Sequence, residues 1–395
     1  MGKNIDELRL FAVTELEENL LPFWSRRMTD LVNGGFLGAI DQNGEPVSEA
    51  PKGLILNARL LWTFSAVCNH YGNEEYLDPA HRAWDYIVTR FSDVSCGGYF
   101  WTVDCAGNPL DTKKQTYAQA FVIYAFSEYY RACGRQEALD AAIRLYRLME
   151  DNCADSMNGG YLEAFSRNWG EIDDSRLSEK DLNERKTMNT HLHVLEAYTS
   201  LLGVWDEPGL RERLKMLIGV FAEKIVGLGN FHQKLFFNEE WEARSEMISY
   251  GHDIEASWLL LEAAQTLGEK DLAGRTAELS LRLARGAAEG VNRFGGLTHE
   301  SDGKGGTDDE TEWWAQAEAV VGFLNAWRLS GDVRFLELAT GVKKFIERYF
   351  IDRKGGEWFY RLDAEGRPLP GYDKAGFWKC PYHNVRMCLE ILMRV

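Results

Sequence analysis

The chain has 395 residues, of which 45% are hydrophobic, 12% aromatic and 27% charged, and its formal net charge at pH 7 is −17. These proportions are typical of a globular protein with a large core. The negative charge argues against nucleic acid or an anionic membrane surface as a partner, because both attract basic patches. Seven cysteines without a C-x-x-C pair or zinc-ligand spacing predict free thiols in a reducing compartment.

The first predicted element is an acidic amphipathic helix at MGKNIDELRL. This segment lacks the apolar region of a signal peptide, and no stretch of about 18 apolar residues follows anywhere in the chain. We therefore expect a cytoplasmic protein without membrane partners. We also expect a monomer or a weak dimer.

A Gly-Gly segment that alternates aromatic and polar residues recurs along the chain. Five clear copies begin at Gly34, Gly97, Gly159, Gly295 and Gly355, and a degenerate copy lies near Gly229. The spacing indicates six units of about 60 residues. Most of the segments then reach a turn such as Asn-Gly, which predicts short β-hairpins.

Two amphipathic helical patterns lie between successive Gly-Gly segments, for example 53–71 with 79–91 and 116–133 with 136–151. Because one repeat cannot bury its apolar face alone, the units must stack into an open solenoid or a closed toroid. The final segment, NVRMCLEILMRV, is apolar, unlike a polar capping repeat. We predict an all-α protein, a single (α/α)6 barrel domain over residues 1–395, with about twelve helices and hairpins at one end.

Two acidic stretches, 171–186 and 300–312, interrupt the helical patterns. They are interpreted either as lids over the mouth of the barrel or as simple solvated loops.

The stretch TMNTHLHVLEAY, residues 187–198, places unusual polar residues in an apolar helical pattern. On a helical wheel, Asn189 and His193 share one side, which can face the lumen of a toroid. His191 falls near the apolar side and is interpreted as a core histidine.

The same pattern recurs in two later units. SYGHDIEASWLLLEAA places His252 and Glu255 on one face, and FWKCPYHNVRMCLEIL places His383 near a predicted helix start. Helix starts converge at one end of a toroid, so we expect these histidines and His193 to surround one pocket.

Histidine has an ordinary pKa near 6.5, so it can take or give a proton at neutral pH. Two imidazoles on opposite sides of a carbon can remove a proton from one face and return it to the other. A carboxylate such as Glu255 would fix the tautomer of its histidine. The alternative is a metal held by three histidines, although the chain shows no compact metal-ligand spacing.

Further candidates belong to the same end of the barrel. Arg59 is a cation in an apolar helix, and such a residue is paired by the protein or by a ligand. Tyr117 begins another predicted inner helix. The adjacent Trp313 and Trp314 cannot both face one side, so one is expected in the core. With Trp378, these aromatic rings beside acid–base groups favour a carbohydrate ligand.

Five segments together resemble the N-acylglucosamine 2-epimerase superfamily, and most closely the cellobiose 2-epimerases: LILNARLLWTFS, MNTHLHVLEAY, YGHDIEASWLL, EWWAQAEA and FWKCPYHN. The resemblance covers nearly the whole chain. It implies an (α/α)6 barrel that inverts C2 of the reducing-end glucose in β-1,4-linked disaccharides. Cellobiose would give glucosyl-mannose and lactose would give epilactose, through ring opening and a cis-enediol(ate), without a metal or nucleotide cofactor.

The resemblance also implies roles for individual residues. His252 and His383 would exchange the C2 proton, and Glu255 would orient His252. His193 and Asn189 would assist near the ring oxygen and hydroxyls. The remaining residues would hold the substrate, with Arg59 on the enediolate oxygens and Tyr117, Trp314 and Trp378 against the sugar rings.

Three alternatives remain open at the level of the sequence. The first is an N-acylglucosamine 2-epimerase or a mannose isomerase of the same superfamily. The second is an inverting glycoside hydrolase, which needs two carboxyl groups about 6.5–9.5 Å apart. The third is a non-catalytic toroid that binds sugar or protein.

Overall fold

A computed structural model describes residues 2–227 and 229–395. The described residues contain twelve α-helices: α1 (Gly2–Thr14), α2 (Leu54–Tyr71), α3 (Leu77–Tyr86), α4 (Thr116–Cys133), α5 (Gln136–Asn152), α6 (Met188–Leu202), α7 (Pro208–Val220), α8 (Tyr250–Leu267), α9 (Lys270–Ala288), α10 (Trp313–Ser330), α11 (Val333–Phe345) and α12 (Tyr382–Arg394). Within these residues, no helix combines the length and the apolar character needed to cross a membrane.

The even-numbered helices form a closed inner ring. Each of them packs on the next, and α12 returns to pack on α2. The odd-numbered helices lie outside this ring, with α3 against α2, α5 against α4, and α1 against α12. The arrangement is the predicted (α/α)6 barrel, so the expected fold class is confirmed.

Burial explains why the two layers have different sequences. Every residue of α2 from Leu54 to Cys68 is buried, because an inner helix packs on both neighbours and on its outer partner. The outer helix α5 buries residues on one stripe only, including Ala138, Leu145 and Met149. Inner helices α2 and α4 end at Gly72 and Gly134, whose φ angles of 62° and 68° glycine adopts without steric cost.

Five inner helices begin directly after a two-residue strand: β1 (Lys52–Gly53), β4 (Lys114–Gln115), β6 (Lys186–Thr187), β8 (Ile248–Ser249) and β11 (Thr311–Glu312). Each pairs antiparallel with a strand of the following hairpin: β2 (Thr102–Val103), β5 (Ala164–Phe165), β7 (Phe236–Phe237), β9 (Glu300–Ser301) and β12 (Arg361–Leu362). Two further strands, β3 (Pro109–Asp111) and β10 (Thr307–Asp308), extend β2 and β9. A bridge between Ile40 and Ala375 closes the circle. The hairpins therefore lie at the N-terminal ends of the inner helices.

The six repeat units are confirmed by six equivalent bridges around the Gly-Gly turns: Thr29–Phe36, Ser92–Tyr99, Ala154–Tyr161, Val226–Gln233, Val291–Leu297 and Ile351–Trp358. The fourth bridge identifies the degenerate copy that the sequence placed near Gly229.

Four of these turns share a buried ion pair that the sequence analysis did not predict. The pairs are Lys52–Asp30 at 2.7 Å, Lys114–Asp93 at 3.0 Å, Lys186–Asp155 at 2.7 Å, and Lys374–Asp352. Asp30 also accepts the backbone N–H groups of Val32 and Asn33, so each carboxylate both shapes its turn and neutralises its lysine.

The helix predicted over 79–91 has different bounds. It begins at Leu77, keeps α-helical geometry to Tyr86, and ends in a π-helical turn over Ile87–Phe91. Similar turns follow α7 at Phe221–Ile225 and α11 at Ile346–Phe350. The apolar period does not reveal this change of hydrogen bonding, because the buried residues Ile87 and Phe91 are four positions apart, as a continued α-helix would also require.

Candidate active site

The lumen at the hairpin end is surrounded by one functional candidate from each inner helix: Arg59, Tyr117, His193, His252, Trp314 and His383. Ring contacts connect most of them. The Trp314 ring centroid lies 4.6 Å from that of His252 and 5.7 Å from that of His383, and Tyr117 lies 4.9 Å from His193. The structure therefore brings His252 and His383 to one tryptophan, although 131 positions separate them in the sequence.

His383 has a fixed tautomer. Its Nδ1 lies 2.7 Å from Oε1 of Glu318, a residue of α10. Burial alone would raise the pKa of Glu318, but Arg386 outweighs burial and lowers it to about 2, so the carboxylate is ionised. Nδ1 of His383 therefore donates, and Nε2 keeps a lone pair. Burial lowers the pKa of His383 to about 3, so the ring is neutral at pH 7.

His252 has a different partner from the one the sequence indicated. Its Nδ1 lies 2.7 Å from the hydroxyl of Ser249, which can donate or accept, so both tautomers are available. Burial, reinforced by neighbouring histidines, lowers the pKa of His252 to about 3. The expectation that Glu255 orients His252 is wrong, because Oε1 of Glu255 accepts from Arg386 at 2.8 Å instead.

His193 and Asn189 lie on the first turns of α6. Nδ1 of His193 is 2.8 Å from Oε2 of Glu196, and burial lowers the pKa of the imidazole. Asn189 is half-buried, and its Oδ1 has no hydrogen-bond partner among the described residues. Both side chains are therefore available to a ligand on this side of the lumen.

His191 is a core histidine, as predicted. It is fully buried, its Nδ1 lies 2.6 Å from the carbonyl oxygen of Thr187, and its Nε2 accepts the backbone N–H of Tyr161 at 2.9 Å. In other units Gln119 and Gln316 accept the equivalent backbone N–H. His191 thus fixes a Gly-Gly turn and does not face the lumen.

Arg386 of α12 forms the floor of the site. Its guanidinium donates to Glu196 and Tyr382, and to Glu255 and Glu318 at 2.8 and 2.7 Å. Burial, reinforced by the charge of Glu318, raises the pKa of Glu255 well above its usual value. One cation therefore connects the partners of His193 and His383.

The floor also contains a set of possible metal ligands. Atoms of Glu255, Glu318 and His383 lie within 4.8 Å of one another. Arg386 already bonds both carboxylates, so the guanidinium supplies the positive charge that this group needs. The sequence alternative of a three-histidine metal site has no matching cluster in the described residues.

Arg59 is a buried cation without an acidic partner. Only 3% of its surface is exposed, and its Nη2 donates to the Tyr117 hydroxyl at 2.8 Å. Its guanidinium lies over the rings of Phe121 and Tyr382. Within the part of the chain that the structure describes, no carboxylate forms an ion pair with it. Such a site favours a ligand that carries or develops negative charge.

The two adjacent tryptophans separate as expected. Trp313 is buried against Tyr360, with ring centroids 4.5 Å apart. Trp314 is half-buried and contacts both histidines, and its Nε1 donates to Glu312 at 2.7 Å. Trp314 is therefore the member of the pair that faces the lumen. Glu312, which accepts its hydrogen bond, is the last residue of the acidic stretch 300–312.

Trp378 marks the boundary between the lumen and an adjoining cleft. Its ring centroid is 6.1 Å from that of Tyr117 and 5.9 Å from that of Trp101. The cleft measures about 340 Å³ and is lined by Trp101, Thr102, Lys113, Phe377, Trp378 and the segment 174–179. The first acidic stretch therefore forms a wall of this cleft.

Ser249 and Glu318 are the functional candidates that sequence reasoning missed. Ser249 is the N-cap position of α8, three residues before His252. Glu318 follows Trp314 by one helical turn in the segment EWWAQAEA, so it shares the face of that tryptophan. The helical period could have placed Glu318 in the lumen, but not beside a histidine of another helix.

The sequence model described as N-acylglucosamine 2-epimerase (GlcNAc 2-epimerase) matches residues 34–386. Cellobiose 2-epimerase of Bacteroides fragilis is 48% identical, over 96% of this chain and 97% of the relative. That of Ruminococcus albus is 41% identical over the same shares. The structure of cellobiose 2-epimerase from Bacillus thermoamylovorans is 40% identical, covers 100% of both chains, and superimposes with a TM-score of 0.94. The chain belongs to the N-acylglucosamine 2-epimerase family.

Proposed function

We propose that the protein is a cellobiose 2-epimerase, which reversibly inverts C2 of the reducing-end glucose in β-1,4-linked disaccharides. The observation that carries the proposal is the pair of neutral imidazoles, His252 and His383, that meet at Trp314. The same lumen contains Arg59, a buried cation for which the described residues supply no carboxylate. Relatives named cellobiose 2-epimerase are 37–48% identical over nearly the whole chain and support the same conclusion.

The first chemical step is ring opening. The C1 hydroxyl must lose a proton and the ring oxygen must gain one before C2 lies beside a carbonyl. His193, whose Nδ1 hydrogen is held by Glu196, presents Nε2 as the base and then returns the proton. Asn189 offers to a neighbouring hydroxyl an amide oxygen that has no partner among the described residues.

The second step is proton exchange at C2. One imidazole removes the C2 proton and becomes cationic, and the other takes up a proton from solvent and delivers it to the opposite face of the planar cis-enediol(ate). The first imidazole then releases its proton to solvent, so both rings return to the neutral form. His383 begins with a free lone pair on Nε2, while Ser249 lets His252 carry its proton on either nitrogen. Arg59 holds the developing negative oxygens by charge-assisted hydrogen bonds.

The adjoining cleft supports a disaccharide rather than a monosaccharide. It begins at Trp378, where the lumen ends, and its wall combines Trp101 with the polar side chains of Lys113 and Asp174. Flat aromatic rings and polar groups at the rim are the features that bind a second sugar ring. The non-reducing sugar is placed here, outside the reacting centre.

Incubation of the protein with cellobiose in deuterated water is expected to give glucosyl-mannose that carries deuterium at C2. The enediolate is reprotonated by an imidazole that exchanges with solvent, so the label marks the proton-transfer step. Nuclear magnetic resonance of the products measures both conversion and label. Product without any C2 deuterium would contradict exchange through the two histidines.

Parallel incubations distinguish the alternatives. Turnover of N-acetylglucosamine or mannose in preference to cellobiose would assign a different member of the family. Release of free glucose from cellobiose would indicate a hydrolase, whereas a constant amount of total disaccharide supports epimerisation.

Arg59→Met is expected to lower kcat by about 10²–10³, which is the typical cost of removing one preorganised donor from a developing oxyanion. Steady-state kinetics on cellobiose measure the change. The matched variant Lys113→Met removes a cation from the outer cleft and should affect mainly KM. A loss below about tenfold for Arg59→Met would argue against charge stabilisation by this residue.

A further inference from the structure

A second cavity, of about 500 Å³, lies at the opposite end of the barrel from the hairpins. Its walls are the C-terminal halves of five inner helices, α2, α4, α6, α8 and α12. Its polar lining includes Asn69, Tyr124, Arg131, Glu196, Glu262 and Thr266, together with the acidic residues Glu128 and Glu390. The volume falls in the range of about 300–1,000 Å³ that small-molecule sites occupy.

The floor of the catalytic lumen separates this cavity from the site of C2 inversion. Glu196 belongs to both: its Oε2 bonds Nδ1 of His193, and its side chain also lines the second cavity. Tyr382 and Arg386 complete the floor, because both bond Oε1 of Glu196. A molecule in this cavity would therefore lie one residue from the catalytic network without entering the lumen.

The wall contains one largely buried polar group that has no partner within the part of the chain that the structure describes. Tyr124 is nine-tenths buried, it lines the cavity, and its hydroxyl has no hydrogen-bond partner among the described residues. Glu262 lies at the exposed rim of the cavity and forms no ion pair with the described residues, whereas Arg131 pairs with Glu128. The site thus combines a buried hydroxyl that has no partner among the described residues with an exposed carboxylate at the rim.

The types of hydrogen-bonding group define the ligand. Glu262 only accepts hydrogen bonds, Arg131 only donates them, and Tyr124 and Thr266 can do both. Hydroxyl groups satisfy all three kinds of partner. An anion would meet Glu262, Glu390 and the negative ends of five helices, and a simple cation would meet Arg131, although Glu128 already pairs with that arginine.

We infer that this cavity is a second carbohydrate-binding site, for a neutral mono- or disaccharide, separate from the site where C2 is inverted. The inference does not depend on the proposed reaction, since it rests on the wall of the second cavity alone.

The test is a calorimetric titration with methyl β-cellobioside, whose locked ring prevents epimerisation. Wild-type protein should bind two molecules. Tyr124→Phe combined with Glu262→Gln should bind one, and should keep kcat on cellobiose within about twofold because neither side chain touches the lumen. The matched variant Trp378→Ala should lose the molecule bound at the catalytic end of the barrel and keep the molecule in the second cavity.

A filling variant, Ala66→Phe, tests the same site independently of the polar groups, since Ala66 lines the cavity from α2. It should also bind one molecule, with a melting temperature that verifies folding. A single molecule bound by the wild type and still bound by both cavity variants, or two molecules bound by both cavity variants, would overturn the inference. The inference would also be overturned if the wild type bound putrescine but no saccharide in this cavity, and if the double variant no longer bound putrescine.

Discussion

His252→Ala and His383→Ala are each expected to lower kcat for C2 inversion of cellobiose by about 10²–10⁴, the usual contribution of a positioned acid or base. KM should change much less, because neither ring supplies the main binding surface of the disaccharide. Each variant keeps only one of the two imidazoles. Proton exchange remains possible on one face of C2, but inversion fails because it needs a group on each face. Product analysis over time measures the loss.

The remaining half-reaction gives the sharper measurement. A variant with one base left should still exchange the C2 proton of one epimer with deuterated water, while the other epimer stays unlabelled. The two alanine variants should label opposite epimers. Labelling of the same epimer by both variants would contradict two bases on opposite faces. His191→Gln is the matched control, since glutamine fills the same turn position at Gln119 and Gln316, and its activity should be normal.

The pH dependence follows from the same two rings. Burial lowers the pKa of both His252 and His383 to about 3, so the neutral form that acts as base persists well below the usual value of 6.5. We expect kcat/KM to stay level from pH 8 to about 5 and to fall only as the pH approaches these values. A midpoint near 6.5 would contradict buried neutral bases. Folding stability should decrease below pH 6.5, because unfolded histidines take up protons first.

Two kinds of information in the sequence predicted different parts of the molecule. The Gly-Gly period and the apolar stripes predicted six units, twelve helices and a closed ring, because repeated burial leaves a repeated pattern. Helix 116–133 was predicted with its observed bounds. Polar stripes at helix starts identified the lumen, and the assignment of His191 to the core follows from its place on the apolar side.

The partners of these side chains could not be predicted in the same way. Glu318 bonds His383 from a neighbouring helix, 65 positions earlier in the chain, and this contact depends on how two inner helices are rotated in the ring. Proximity within one helix favoured Glu255 as the partner of His252, since the two are three residues apart. The structure shows that the same carboxyl turns instead to Arg386, which competes for it as a full positive charge.

Arg386→Met is expected to destabilise the fold by about 3–5 kcal/mol, the cost of leaving buried charges without their partner. Only 1% of the Arg386 side chain is exposed to solvent, so this cation is buried. In the variant, Glu196 and Glu318 would lose the cation that keeps them ionised. Urea unfolding at pH 7.5 measures the change. Arg367→Met removes an exposed ion pair with Asp363 and should cost at most about 1 kcal/mol.

The pH dependence of this deficit separates electrostatics from packing. In the wild type, Arg386 lowers the pKa of Glu318 to about 2 against the effect of burial. Without Arg386, burial raises that pKa above the value of an unfolded glutamate, so the charged form opposes folding at neutral pH and the neutral form does not. The deficit of Arg386→Met should therefore shrink as the pH falls from 7.5 towards 5. A deficit that stays constant over this interval would instead assign the cost to lost packing against Trp258 and Tyr382, on whose rings the guanidinium lies.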